Sequence, residues 1–180
     1  MQVARVNSLP TASAIALTIA AVMLPGSATA KIVVGQSLAG VRLDDSKARV
    51  KSLLGRPNCQ SCGSGKVVWS FGAPLIGSVG FDSRGRVDGV STSSAHQSTT
   101  KGIHPYSSQR ARNGLPTIAG STEKRIMGTY HSARCGLGPE LGQSFQCQLT
   151  SAFHGRTVIT RFLGINEPGY GVKEVDIQFG

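Results

Sequence analysis

The amino-acid sequence predicts an α+β fold: two tandem helix–multistrand units forming an antiparallel sheet with helices packed on one face. Three observations lead to it. Gly40-Val41-Arg42-Leu43-Asp44-Asp45-Ser46-Lys47-Ala48-Arg49 lines up, 62 positions on, with Gly102-Ile103-His104-Pro105-Tyr106-Ser107-Ser108-Gln109-Arg110-Ala111. Each copy has Gly before a β-branched residue, a short turn, a Ser suited to start a helix, and basic residues near it. Alternating apolar segments joined by turns follow each copy, the period of half-buried strands. The ends of the two units also correspond, with Phe81, Val87 and Val90 matching Phe162, Val172 and Val175 across a longer loop. A helix followed by strand–hairpin–strand, twice over, argues for an antiparallel sheet covered on one side. The units span residues 31–95 and 96–180 of a single domain.

Residues 1–30 read as an address. Arg5 gives a thin positive region, Ala14–Leu24 is largely apolar, Pro25 and Gly26 break it, and Ala28-Thr29-Ala30 is a small-x-small cleavage site. The apolar stretch is well short of the roughly 20 residues that a membrane-spanning helix needs. A cleaved signal peptide is expected, with the mature chain starting near Lys31 and secreted to the periplasm or the exterior. No Cys precedes Cys59, so the first mature position offers no thiol for lipidation.

In the first unit, Lys31–Val34 predicts a lead-in strand and residues 35–40 a turn. Ser46 is a good N-cap, since its hydroxyl can accept a free N–H of the first turn. Val50, Leu53 and Leu54 form an apolar stripe, and Gly55 and Pro57 stop the helix. Val67, Trp69 and Phe71 alternate into a core, Leu75–Phe81 makes the next strand, Asp82-Ser83-Arg84-Gly85 turns, and Arg86–Thr92 returns. The second unit is looser. Ser107 or Ser108 can cap a short helix that Asn113-Gly114-Leu115-Pro116 interrupts, with another helical turn at Ser121–Met127. Strands are expected at Ile126–Cys135, Phe145–Phe153, Thr157–Leu163 and Val172–Phe179.

Four cysteines in an exported chain should be oxidised, and four allow three pairings. Neighbour pairing, Cys59–Cys62 and Cys135–Cys147, closes one loop in each unit. A redox reading of Cys59-Gln60-Ser61-Cys62 wants a helix N-terminus at the first Cys, whereas here the pair follows a helix stop. A four-Cys zinc site wants two close-set pairs, and Cys135 and Cys147 stand too far apart.

The segment Gly35 to Pro57, with Gly35, Ser37, Gly40, Val41, Leu43, Ser46, Val50, Leu54, Gly55 and Pro57 in register, resembles the opening helix of small exported envelope proteins. These are the SmpA/OmlA (BamE) family and the β-lactamase-inhibitor-protein-like modules. The resemblance implies a helix–helix–multistrand unit, used in tandem by the inhibitor proteins, and binding rather than catalysis. In the second copy Arg112 and Pro116 stand where the first has Val50 and Leu54.

Catalytic grammar is sparse. His96, His104, His131 and His154 lack the spacing of a zinc helix. Gly35-Gln36-Ser37-Leu38-Ala39 misses a nucleophile elbow, and Gly63-Ser64-Gly65-Lys66 lacks both the first Gly and the hydroxyl of a phosphate loop. Asp44-Asp45 sits where negative charge offsets a helix dipole, and Glu174 and Asp176 alternate towards solvent on the last strand. No catalytic, cofactor or metal residue is assigned. Without residues 1–30 the chain keeps 18 Lys and Arg against 9 Asp and Glu, a balance that favours polyanions such as envelope polymers over specific nucleic-acid recognition. The expected function is therefore a secreted, non-catalytic binding or scaffold protein that contacts a protein partner or an anionic envelope component through its open sheet face. Polar or aromatic residues crowding that face favour this reading. A His beside a carboxylate in a pocket, from His131 or His154, favours an extracytoplasmic enzyme, and a single basic face favours polyanion adsorption.

Overall fold

The computed structural model describes residues 31–61, 66–138 and 143–180. The expected signal peptide at 1–30 lies outside them, as does Cys62 of the expected Cys59–Cys62 pair. Among the described residues no helix is long and apolar enough to cross a membrane.

The α+β expectation, with helices packed on one face of the sheet, is corrected. The described residues are mostly β, with two short helices among them, α1 (Lys47–Leu54) and α2 (Glu123–Thr129). An antiparallel sheet of eight strands runs in the order β4 (Cys59–Gln60), β5 (Val67–Phe71), β6 (Gly77–Phe81), β7 (Val87–Thr92), β12 (Gly171–Phe179), β11 (Arg156–Ile165), β10 (Ser144–Phe153), β9 (Arg134–Leu137). A four-stranded mixed sheet is ordered β3 (Val41–Arg42), β2 (Ser37–Leu38), β1 (Lys31–Val33), β8 (Ser98–Thr99), with β1 and β8 parallel.

Dimensions explain the correction. Eight strands at about 4.8 Å spacing make a sheet more than 30 Å wide, and an eight-residue helix is only about 12 Å long. Each helix supplies one fully buried side chain, Val50 from α1 and Ile126 from α2. Most of the covering comes from the small sheet, through buried Ile32, Leu38 and Val41, and from the segment around Ile103. The Gly35 N–H donates to the buried Thr160 Oγ1 at 3.0 Å, tying the β1–β2 turn to the inner face of the large sheet.

Local signals in the first unit correspond to the observed elements. Ser46 caps α1, its Oγ accepting from the Arg49 N–H at 3.2 Å, and Gly55 ends the helix at φ 77°. Trp69 packs edge-on against Phe81, ring centroids 4.8 Å apart. The Asp82 carboxylate accepts from the Arg84 and Arg86 N–H groups and closes the β6–β7 turn.

The second unit departs from expectation. No helix follows Ser107 or Ser108. Ser107 Oγ accepts from the Gln109 N–H, and Ala111 N–H donates to the Leu115 carbonyl, so Asn113-Gly114 forms a small hairpin turn with Gly114 at φ 79°. Pro116 lacks the N–H a helix needs there. The helix lies at α2, where the further helical turn at Ser121–Met127 is expected, and is capped by Thr122, whose Oγ1 accepts from the Arg125 N–H. It occupies the start of the strand expected at Ile126–Cys135, leaving only β9. The disulfide Cys135–Cys147 joins facing residues of β9 and β10, and Cys59 is also oxidised.

The caps give a direct test. Ser46→Ala and Thr122→Ala should each cost about 1 kcal/mol, and Ser108→Ala should stay within about 0.5 kcal/mol, as for surface changes away from caps and core. Urea unfolding of the three variants checks the ranking.

Candidate functional site

Alternation divides the large sheet. Trp69, Val79, Val90, Ile177 and Leu149 lie on the inner face and belong to the core. The opposite face contributes none of the core and carries a continuous polar row. Successive cross-strand partners are Cys59, Ser70, Ser78, Ser91, Asp176, Arg161, Gln148 and Arg134, one from each of the eight strands. Ser78 and Ser91 hydroxyls are hydrogen-bonded at 3.1 Å, and Arg161 pairs with Asp176 at 3.2 Å.

Beside this row runs a second: Val68, Gly80, Gly89, Gln178, Ile159 and Thr150. Gly80 and Gly89 face each other and carry no side chains, so the sheet is hollowed there into a trough of about 290 Å³. Its walls include Lys66, Asp88, Glu174, Asp176 and Gln178. Lys66 pairs with Asp88 at 3.0 Å. The Arg161 guanidinium also faces the Gln178 amide, whose oxygen accepts from it when oriented to satisfy both groups. Three of the chain's nine carboxylates thus line one hollow of a strongly basic protein.

Asp176 is not simply solvent-facing, as alternation alone suggested. Burial pushes its carboxyl up to about 6, against the opposing charge of Arg161 and with the help of neighbouring Glu174. The folded state therefore holds the Asp176 proton more tightly than the unfolded chain does, and stability is lost as pH rises from about 4 to about 6. Asp176→Asn should remove this dependence. The stability difference between wild type and variant should shift in the variant's favour by about 2–3 kcal/mol between pH 3 and pH 7.5. Paired unfolding curves at the two pH values check it.

The histidines fare differently. His96 and His131 are exposed, and the His104 Nδ1 lies 2.9 Å from the Pro105 carbonyl oxygen. His154, at the tip of the β10–β11 hairpin, lies 3.4 Å from the Asp44 carboxylate and stacks on Phe153 at 4.0 Å. The structure thus brings one of the two expected histidines beside an acid and leaves His131 apart. Their hollow, shared with Arg42, Leu43, Asp45 and Phe153, measures about 160 Å³, below the roughly 300 Å³ at which small-molecule pockets begin. Nor do Asp44 and Asp45 chiefly offset the α1 dipole. Asp44 pairs with His154 and Arg156, and Asp45 accepts from the Arg42 N–H.

Glu123 approaches the Cys135 and Cys147 sulfurs within 4.8 Å. Both sulfurs are bound to each other, so neither offers a thiolate to a metal.

Sequence reasoning expected an open face only as the one that helices leave uncovered, and did not name Arg161, Ser78, Ser91, Gly80 or Gly89 on it. Their signal is period-two alternation opposite the apolar residues. Alternation gives a face within each strand, whereas the row depends on register between strands far apart in sequence.

Comparison with protein-family models, with curated proteins and with solved structures gave no match.

Proposed function

We propose that this is an exported, non-catalytic binding protein whose contact surface is the open face of the large sheet. The observation that carries the reading is the polar row crossing all eight strands beside the glycine-floored trough. A sheet face lined with serine, amide and paired charge offers many hydrogen-bonding groups on a rigid support, which suits recognition of another surface. Gly80 and Gly89 leave room for a protruding partner side chain, and Asp88, Glu174 and Asp176 favour a basic one. The Cys135–Cys147 disulfide agrees with an oxidising compartment. The resemblance of Gly35–Pro57 to exported envelope and inhibitor proteins supports binding as the class of function.

Photo-crosslinking from single positions tests it. A crosslinking side chain at Ser78 or Gln148, on the open face, should capture a discrete partner in the producing cell's envelope or culture fluid, and filling the trough by Gly80→Gln should abolish the capture. The same probe at Lys124, on exposed α2, should capture nothing. Capture from all three positions alike, or from Lys124 alone, would reject the open face as the contact surface.

A second reading, an extracytoplasmic enzyme, draws on the His154–Asp44 contact. The small volume of that hollow and the two-thirds exposure of the His154 side chain weigh against it.

A further inference from the structure

The bases look scattered in sequence, yet the fold gathers several of them at one edge. The β3–α1 connection, the β6–β7 turn and the tip of the β10–β11 hairpin meet there, and Asp44 is their junction. Arg156 Nη1 reaches its carboxylate at 3.4 Å, His154 lies on the other carboxylate oxygen at 3.4 Å, and Arg86 Nη1 reaches its backbone carbonyl at 3.4 Å. Arg42 lines the same hollow, and Lys47 lies beside the β6–β7 turn at Gly85. Arg84 completes the group, close enough to act with Arg156 on the charge of Asp82.

Two independent features show that this edge is organised. First, aromatic rings hold its cations in place. Arg42 lies over Phe153 at 5.8 Å, Lys47 over Phe81 at 5.4 Å and Arg156 over Phe179 at 3.3 Å. Long basic side chains held this way lose less freedom on binding than free ones. Second, Asp44 and His154 both adopt left-handed backbone, at φ 67° and 50°. Glycine would relieve that strain, which costs an L-residue about 1–2 kcal/mol. Their mutual contact joins the β3–α1 connection to the tip of the β10–β11 hairpin, so two separate turns are fixed against each other. The edge's carboxylates are engaged within it: Asp82 accepts from the Arg84 and Arg86 N–H groups, Asp45 from the Arg42 N–H, and Asp44 meets Arg156 and His154, so the cations Arg42, Lys47, Arg84, Arg86 and Arg156 outnumber them.

We infer that this edge binds an anionic polyol polymer through its phosphate or sulfate groups. Planar guanidinium groups match the oxygens of either anion and pair with two at once. The chemistry around them selects the polymer. The three phenylalanine rings are already covered, by cations and, for Phe153, by the His154 imidazole too, which leaves that one exposed ring and no row of rings on which successive nucleic-acid bases could stack. The exposed large apolar residues, Ile76, Leu115, Ile118, Met127 and Leu137, belong to other parts of the chain, so the edge has no apolar anchor for a bilayer. The edge adjoins the open face, since Phe179 under Arg156 also borders the trough, but none of the edge's cations lines that trough, so the two surfaces are tested by different variants.

Titration of the protein spanning residues 31–180 with fluorescent polymers tests the inference. The probes are a sulfated glycan (a heparin fragment), a poly(glycerol phosphate) chain, neutral dextran, a single-stranded oligonucleotide of equal charge, and phosphatidylglycerol vesicles. One or both anionic polyol polymers should bind with strong salt dependence, and which one binds identifies sulfate or phosphate as the group read. Dextran should not bind, and the oligonucleotide and vesicles should bind at least tenfold more weakly. Arg42→Gln/Arg156→Gln should weaken polymer binding at least tenfold, and Lys47→Gln/Arg86→Gln, which leaves the Asp44 carboxylate pairs intact, should do the same. Lys124→Gln/Arg125→Gln, which removes equal charge from α2, should change it less than twofold. Unfolding midpoints confirm that each variant folds. Equal losses in all three double variants would reduce the effect to net charge and overturn the inference, as would absence of polymer binding. Equal or tighter binding of oligonucleotide or vesicles would overturn the ligand class.

Discussion

Phe162→Ala is expected to destabilise the protein by about 3–5 kcal/mol, the range for truncating a large buried aromatic. Phe162 is fully buried near the middle of β11, between Cys147 of β10 and Val175 of β12. Tyr130, just after α2, stacks over it with ring centroids 6.1 Å apart. Its neighbours belong to paired strands held by ladder hydrogen bonds and cannot collapse into the space, so the cavity term persists alongside the lost transfer energy. Leu137→Ala, on the edge strand β9 where the side chain is 91% exposed, should change stability by less than about 0.5 kcal/mol. Denaturant unfolding of both variants measures the contrast. A loss below about 1 kcal/mol at Phe162 would mean that the inner face of β10–β12 is not a packed core.

Gly171→Ala should be comparably severe, for a different reason. Gly171 starts β12 at φ 99°, a conformation that L-residues rarely adopt. A Cβ there would lie 2.5 Å from the Gly120 carbonyl oxygen and 2.7 Å from that of Ser121. These are backbone atoms, held where Gly120 N–H donates to the Tyr170 carbonyl and Val172 N–H to the Ser121 carbonyl. No side chain can rotate away to make room. Overpacking costs about 1–3 kcal/mol and the unfavourable backbone roughly 1–2 more. Gly114→Ala is the control, with φ 79° but nothing within 4 Å of a Cβ. It should show only the backbone cost. The difference between the two melting or urea midpoints isolates the close approach that pins the 100–121 segment to the sheet.

That segment shows where sequence reasoning failed. The 62-residue correspondence placed a helix after Ser107 or Ser108, because Ser46 caps one at the matching position. The match extends through Gly40 and Gly102, both at positive φ, and through buried Val41 and Ile103. It does not extend through the helix itself. Asn113-Gly114 and Pro116 favour a turn, and the segment gains more by lying along the start of β12 than by coiling.

The sequence by itself determined the local elements whose causes are local. Ser46 and Gly55 bound α1, alternation built β5, β10, β11 and β12 with their inner faces, and Asp82 and Gly85 turned β6 into β7. It also marked Cys135 and Cys147 as partners. Tertiary structure alone decided what spans the chain. The balance of helix and sheet followed from what was available to cover an eight-stranded face, and two short helices were too small to do it. The polar row joins residues as distant as Cys59 and Asp176, because register is set by packing between strands and not by any one of them. Asp176 became a buried acid through the same assembly, and bases from residue 42 to residue 156 became one edge when three connections met at Asp44. Local propensities act over a few neighbouring residues. Burial, charge and surface chemistry depend on which distant segments the fold brings together.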